Sequence, residues 1–348
     1  MMAWTNSMTC SLLTSAFVVG VAATVATRGE EPVDASARAR LKAQFRRTAT
    51  VPYPENNAHT PERELLGRTL FFDPRLSGSA TISCATCHNP GLAWTDALTT
   101  AIGSSMQSLP RRTPTLLNLA WAPALFWDGR AETLEDQAMM PIVNANEMNM
   151  KADDLIPRLQ AIQGYQPLFA RAYPGEPMSH ATVGKAIATF ERRIISGQAP
   201  FDRWIAGDAQ AISASARRGF DVFTGKARCS TCHTGWRLTD DGFYDIGVAD
   251  TDEGRGKVLP AISSAQFAFK TPTLRNVMRR APYLHNGSAA TIEEVIDLYE
   301  RGGAAKRPSL SPEIKPFSLT GLEKKDLIAF LETLTSQDVE TRVPTLPR

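Results

Sequence analysis

Apolar positions recur at helical spacing in several separated stretches of this chain. In Glu62 to Phe72, Leu65, Leu66, Thr69 and Leu70 fall on one side of a helix, and Asp73-Pro74 stops it. Ser213 to Phe223 has the same character. Thr320 to Leu334 reads as an amphipathic closing helix with a capping box from Thr320 to Glu323. Ala152 to Glu191 reads as helical segments broken by Pro157, Pro167 and Pro174, with Ala186 to Ile195 the most continuous helix. Gln198-Ala199-Pro200 reads as a linker. No convincing strand pattern and no Gly-rich phosphate loop is present, so the pattern predicts a mainly α fold.

The N-terminal region differs. Cys10 to Ala26 is an apolar stretch, the first basic residue is Arg28, and Thr24-Val25-Ala26 offers a small-residue cleavage site. Residues 1–27 therefore read as a cleaved export signal, with a retained membrane anchor as the alternative. Residues 28–60 are polar, charged and Pro-containing and read as an exposed lead-in. A chain of 348 residues is long enough for two domains, and its formal net charge of +2 gives no reason to expect nucleic acid as a partner.

The chemistry sits in Cys84-Ala85-Thr86-Cys87-His88 and its second copy, Cys229-Ser230-Thr231-Cys232-His233. C-x-x-C-H is the attachment signature of c-type haem: Cys84 and Cys87, then Cys229 and Cys232, form the thioethers, and His88 and His233 are axial ligands. A zinc ribbon or a pair of disulfides explains neither the long separation of the two Cys pairs nor the histidine after each. Every cysteine beyond Cys10 belongs to these motifs. Haem c and an export leader together point to the periplasm, with a membrane-anchored form if the leader is retained.

The chain also repeats itself. Thr113-Pro114-Thr115-Leu116-Leu117-Asn118 recurs as Thr271-Pro272-Thr273-Leu274-Arg275-Asn276, Asp128-Gly129 as Asn286-Gly287, and Thr133-Leu134-Glu135-Asp136 as Thr291-Ile292-Glu293-Glu294, all at one offset of 158 residues. Two pseudo-equivalent c-type cytochrome domains arising by internal duplication, a haem in each, follow from this. The Thr-x-x-acid pairs read as capping boxes that start a helix at the same point of each half. Eight residues beyond each threonine the offset pairs Pro141 with Tyr299. If this position faces iron, haem 2 has a sixth ligand and haem 1 an open position. We read residues 61–197 as an N-terminal haem domain and 198–340 as a C-terminal haem domain.

From about residue 60 to 335 the chain resembles the bacterial di-haem cytochrome c peroxidase and MauG family. The resemblance runs through LGRTLFFDPRLSGSATISCATCHNP, RRTPTLLNLAW, LFWDGRAETLEDQA, the Pro141-to-Glu147 segment ending in NEM, and TPTLRNV followed by APYLHNGS. It implies that Trp127 lies between the haems and that Gln137 and Glu147 are polar residues of the peroxidatic pocket. It also implies that Tyr299 is an axial ligand of haem 2, as in the MauG branch. Ser104 stands where many cytochrome c peroxidases carry a histidine that blocks haem 1. Arg112 stands where the family has a calcium-binding asparagine, and the carbonyls of Arg280 and Pro282 match the remaining calcium ligands. The MauG branch has a surface tryptophan two residues before the second haem motif; this chain has Ala227 there, with Trp236 nearby.

The expectation is a periplasmic di-haem peroxidase that reacts with hydrogen peroxide at haem 1. Oxidising equivalents pass through Trp127 to haem 2, with MauG-like oxidation of a protein or other redox partner. Two alternatives stay open: peroxide removal with a small cytochrome or cupredoxin as donor, and a non-catalytic di-haem electron-transfer cytochrome. Met278 and His285 are alternative ligands of haem 2, and Met139 and Met140 could cap haem 1. His59 and His180 belong to no motif.

Overall fold

The computed structural model describes Met1, Trp4 and residues 35–48, 50–337 and 341–348; apart from Met1 and Trp4, the leader expected over residues 1–27 lies outside this set. The described residues form eleven α-helices and one two-stranded antiparallel ribbon. The helices are α1 (Ala35–Ala43), α2 (Pro61–Phe72), α3 (Cys84–Cys87), α4 (Leu134–Val143), α5 (Ala152–Ala161), α6 (Tyr165–Ala172), α7 (His180–Glu191), α8 (Pro200–Ile205), α9 (Ala214–Thr224), α10 (Ile292–Glu300) and α11 (Gly321–Glu332). The ribbon is β1 (Phe243–Tyr244) paired with β2 (Phe269–Lys270). Mainly helical architecture is what the apolar periodicity predicts; strands of two residues are too short to leave a period-two signal. None of the described helices is long and apolar enough to cross a membrane.

Helix ends follow local side-chain chemistry. Thr60 caps α2 by accepting the Arg63 N–H, with Pro61 at the first helical position, where the missing N–H costs nothing. Thr320 and Glu323 form the expected reciprocal box at α11. The two boxes expected at Thr133 and Thr291 form only their threonine halves. Asp136 is a methylene too short to reach back and accepts the Thr133 hydroxyl at 2.7 Å instead. The Glu294 carboxylate reaches one residue further, to the Ala290 N–H at 2.7 Å. The helix expected over 186–195 begins earlier, at His180, because Ser179 and Thr182 cap each other's backbone N–H groups. Pro157 does not break α5, which runs through it, and Pro167 sits in the first turn of α6, where an N–H has no helical partner.

Two apolar cores follow the repeat. The first gathers Leu66, Leu70, Phe71, Ile187 and Phe190 with other residues between 66 and 194. In the second, the Phe220 ring meets those of Phe45, Phe201, Trp204 and Phe330 at centroid distances of 5.5, 5.8, 5.2 and 5.5 Å, each buried aromatic contributing roughly 1.5–3 kcal/mol. Phe45 comes from the segment expected to be an exposed lead-in. That expectation fails for Phe45 and Asn57, both fully buried: the Phe45 ring anchors the charged stretch in the second core, and Asn57 Nδ2 donates to Glu135 Oε1 at 2.8 Å and the Lys185 carbonyl at 2.9 Å in the first half.

The same helix crossing occurs in both halves. At Gly67 of α2 an added Cβ would lie 1.8 Å from the Ala186 carbonyl oxygen and 3.0 Å from the Phe190 Cβ of α7. At Gly219 of α9 it would lie 1.9 Å from the Asp326 oxygen and 2.8 Å from the Phe330 Cβ of α11. Asn118 and Asn276, related by the offset, both adopt left-handed backbone, and each accepts a serine N–H, from Ser196 at 3.0 Å and Ser336 at 2.9 Å. The C-terminal tail returns to the first half, where the Pro347 carbonyl accepts from Arg75 and that of Arg348 from the Gly164 N–H, both at 2.9 Å.

Candidate functional site

Both C-x-x-C-H segments open onto one cavity of about 600 Å³ between the halves. The Thr86 hydroxyl accepts the Ser83 N–H at 3.0 Å at the start of α3, which sets Cys84 and Cys87 on its single turn, with His88 as the residue that ends it. The second motif forms a tighter turn over Cys229–Thr231. A carbonyl can only accept, so His88 Nδ1 donates to Trp94 O at 3.2 Å and His233 Nδ1 to Leu238 O at 3.0 Å. Each imidazole then keeps its Nε2 lone pair for a metal, and burial lowers both pKa values, favouring the neutral ligand form. The four thiols are not disulfide-bonded, and among the described residues no group of three or more His, Cys, Asp or Glu side chains is placed to hold a bare metal ion. The cavity walls suit haem: they are mainly apolar, and Gln137 Oε1, Glu191 Oε2, Arg112 Nε and Arg280 Nε are buried without protein partners.

The residues expected in the site converge on this cavity. Trp127, Gln137, Pro141 and Glu147 line it from the first half, and Tyr299 and Arg280 from the second. Glu147 follows α4, where Asn144 Nδ2 donates to its Oε1 at 2.9 Å. Burial raises its pKa, and the charge of Arg130 opposes that shift. Ser104 donates its N–H to the Glu147 carbonyl at 2.8 Å and brings no imidazole to the pocket. Burial also raises the Tyr299 phenol pKa, so a phenolate there at neutral pH calls for a positive centre beside it.

Trp127 joins the halves. Its Nε1–H donates to Arg112 O at 2.8 Å, its own carbonyl accepts the Lys270 N–H at 2.8 Å, and its ring lies 6.4 Å from that of His285. His285 stacks on Phe269 at 3.5 Å and holds Asp250 Oδ2 through Nε2 at 2.8 Å. That nitrogen is engaged, which weakens His285 as an alternative ligand. Met278, Met139 and Met140 lie off the cavity wall; the first two pack against the cores and Met140 is exposed. His59 pairs with Glu64 at 2.8 Å and His180 with the Ala152 carbonyl at 2.9 Å, both at the surface. Ala227 is buried, while Trp236 packs edge-on against Trp121 at 4.8 Å.

Arg112 is buried, and its Nη2 donates to the Arg280 carbonyl at 2.6 Å, the oxygen that the resemblance assigned to calcium. Pro282 is two residues further along the same segment. Sequence reading missed Glu191, whose carboxyl faces the cavity and is pushed up to about 8 by burial. Its signal was an acid on the apolar face of α7. It also missed Asp250, since nothing in a separation of 35 residues marks it as the partner of His285.

A paired, duplicated helical fold with two haem-attachment motifs on one cavity defines a di-haem c-type cytochrome. Residues 61–210 match the family model described as "Di-haem cytochrome c peroxidase". The chain is 54% identical over 312 residues to methylamine utilization protein MauG of Methylorubrum extorquens (strain AM1), spanning 89% of this chain and 88% of that protein. It is 33% identical to cytochrome c551 peroxidase of Pseudomonas aeruginosa (strain PAO1), spanning 82% of each. A crystal structure of a MauG-like protein associated with microbial copper homeostasis superposes with a TM-score of 0.77 at 34% identity, covering 83% of this chain and 94% of that one. The chain belongs to the di-haem cytochrome c peroxidase and MauG family. It is a di-haem peroxidase, an oxidoreductase with two c-type haems that acts on peroxide and a redox partner.

Proposed function

We propose that this protein performs MauG-like chemistry in the periplasm: hydrogen peroxide reacts in the first half, and a protein or other redox partner is oxidised through the second. The observation that carries this is the pairing of Pro141 with Tyr299 on equivalent helices, both facing the cavity. When attached, the haems supply the iron that takes up the oxidising equivalents of peroxide. His88 and His233 would hold the irons through Nε2, and Tyr299 would offer an anionic oxygen to the second. Pro141 offers no donor atom and leaves room for peroxide in the first half.

Glu147 takes the proton from one peroxide oxygen and returns it to the other as the O–O bond breaks, with Gln137 orienting the molecule. Trp127 carries charge between the halves. Its N–H partner is an amide carbonyl, too weak a base to take the indole proton, so the charge passes without proton loss. Arg112 replaces the calcium ion of the family, its guanidinium bonding the Arg280 carbonyl; Pro282 would be the remaining calcium ligand were the ion bound. Residues 61–197 form the peroxidatic domain and 198–340 the electron-transfer domain, preceded by an export signal over 1–27; a retained leader would anchor the protein to the membrane.

The testing experiment is an EPR spectrum of the oxidised protein as isolated, followed by peroxide addition without prior reduction. One high-spin and one low-spin ferric haem, with immediate reaction, is expected. Two low-spin haems that react only after half-reduction would overturn the proposal in favour of simple peroxide removal with a small cytochrome or cupredoxin donor.

A further inference from the structure

Arg112 and Arg280 meet at the junction of the halves, and neither has a carboxylate partner among the described residues. Arg112 is 5% exposed and Arg280 6%. Arg112 Nη2 donates to Arg280 O at 2.6 Å, and Arg280 Nη2 donates to Thr273 O. The Nε of each is buried with no partner. Two other cations of the cavity wall are paired: Arg111 with Asp128 at 2.6 Å and Asp252 at 2.5 Å, and Lys270 with Asp241 at 3.6 Å. The acid that acts on Arg112 through space is Asp96, but its carboxylate accepts the Thr113 hydroxyl at 2.5 Å and forms no ion pair with Arg112.

Two like charges taken out of water without a counter-ion are strongly destabilising, so a negative partner must come from outside the polypeptide. The guanidinium fork suits a carboxylate. The cavity these side chains line also receives two haems, and each haem carries two propionate carboxylates.

We infer that Arg112 and Arg280 form a carboxylate-binding site for haem propionate at the junction beside Trp127. The inference rests on the family assignment, and it extends the role of Arg112 from substituting for calcium to binding the cofactor. Two guanidiniums, neutralised by propionate, then take the place of one divalent ion. The site also fixes the cofactor edge nearest the Arg112 carbonyl, to which the Trp127 indole is bonded.

The test is spectroelectrochemical titration of both haems in the holoprotein and in Arg112→Gln, Arg280→Gln, Arg112→Lys and Arg280→Lys. Each Gln variant should shift at least one midpoint potential downward, because an uncompensated propionate stabilises the ferric state, and each Lys variant should restore it toward wild type. Unchanged midpoints in Gln variants that carry both haems would overturn the inference. If a Gln variant loses haem, the Lys variants decide through the propionate bending band in resonance Raman spectra. A shifted band supports the site and an unchanged band overturns it. Calcium substitution is read separately, since a chelator-induced spectral change in the wild type would reject it while leaving the midpoint test of the propionate site intact. A free anion as the partner is the remaining outcome: midpoints that track added acetate in the wild type would overturn the propionate assignment.

Discussion

Pro141 and Tyr299 stand at the same point of two equivalent helices, eight residues beyond the capping threonines, and both face one cavity. The two positions differ in one chemical respect, a donor oxygen present in one half and absent from the other. Tyr299→Phe should therefore convert the low-spin ferric signal of the second haem to high-spin and leave peroxide binding in the first half intact. Tyr299→Met should raise the midpoint of that haem and abolish oxidation of a distant protein partner. An EPR spectrum of Tyr299→Phe that still shows the original low-spin signal would remove Tyr299 as the ligand.

Glu147 lines the cavity, with burial holding its carboxyl above the usual carboxylate range. As the base proposed to accept the peroxide proton it must be ionised, so the rate should fall as pH falls through that raised pKa. Glu147→Gln should lower the second-order rate with peroxide by about 10²–10⁴-fold and remove this acidic inflection. Stopped-flow measurements between pH 4 and 8 check both points.

Glu191 makes stability depend on pH. Its folded pKa is raised to about 8, against roughly 4.3 in the unfolded chain. Between these values the folded state holds a proton that the unfolded chain has released. The stabilising contribution is thus complete below the unfolded value and lost as pH rises through the folded one. Denaturation of wild type should become easier from pH 5 to 9, and Glu191→Gln should flatten that slope. Parallel slopes in the two proteins would show that another group titrates.

The two helix crossings depend on having no side chain at Gly67 and Gly219. Gly67→Ala or Gly219→Ala forces a Cβ to within 2 Å of a backbone oxygen unless the helices separate, and should cost about 1–3 kcal/mol or more. At Gly321 an added Cβ meets nothing within 4 Å, so Gly321→Ala is the neutral control in urea denaturation.

The haem motifs, the duplication and the mainly helical class were legible in the chain alone. Haem attachment and ligation draw on two thiols and a histidine within five consecutive residues, and a repeat at a constant offset is a property of the sequence itself. Caps such as Thr60 and Thr320 are equally local, since a hydroxyl reaches only the next turn. The pairing of Pro141 with Tyr299 was also visible, because the offset and the helix period together set which face they share. Other features were decided by packing between distant segments. Phe45 crosses from a charged stretch into the second core, and Arg112 reaches the Arg280 carbonyl across 168 residues of chain. Asp250 engages His285, and Glu191 becomes a cavity acid only because α7 crosses α2 where Gly67 lets them touch. Burial, which moves these groups' charge states and leaves their polar atoms wanting partners, is a property of that packing and has no counterpart along the chain.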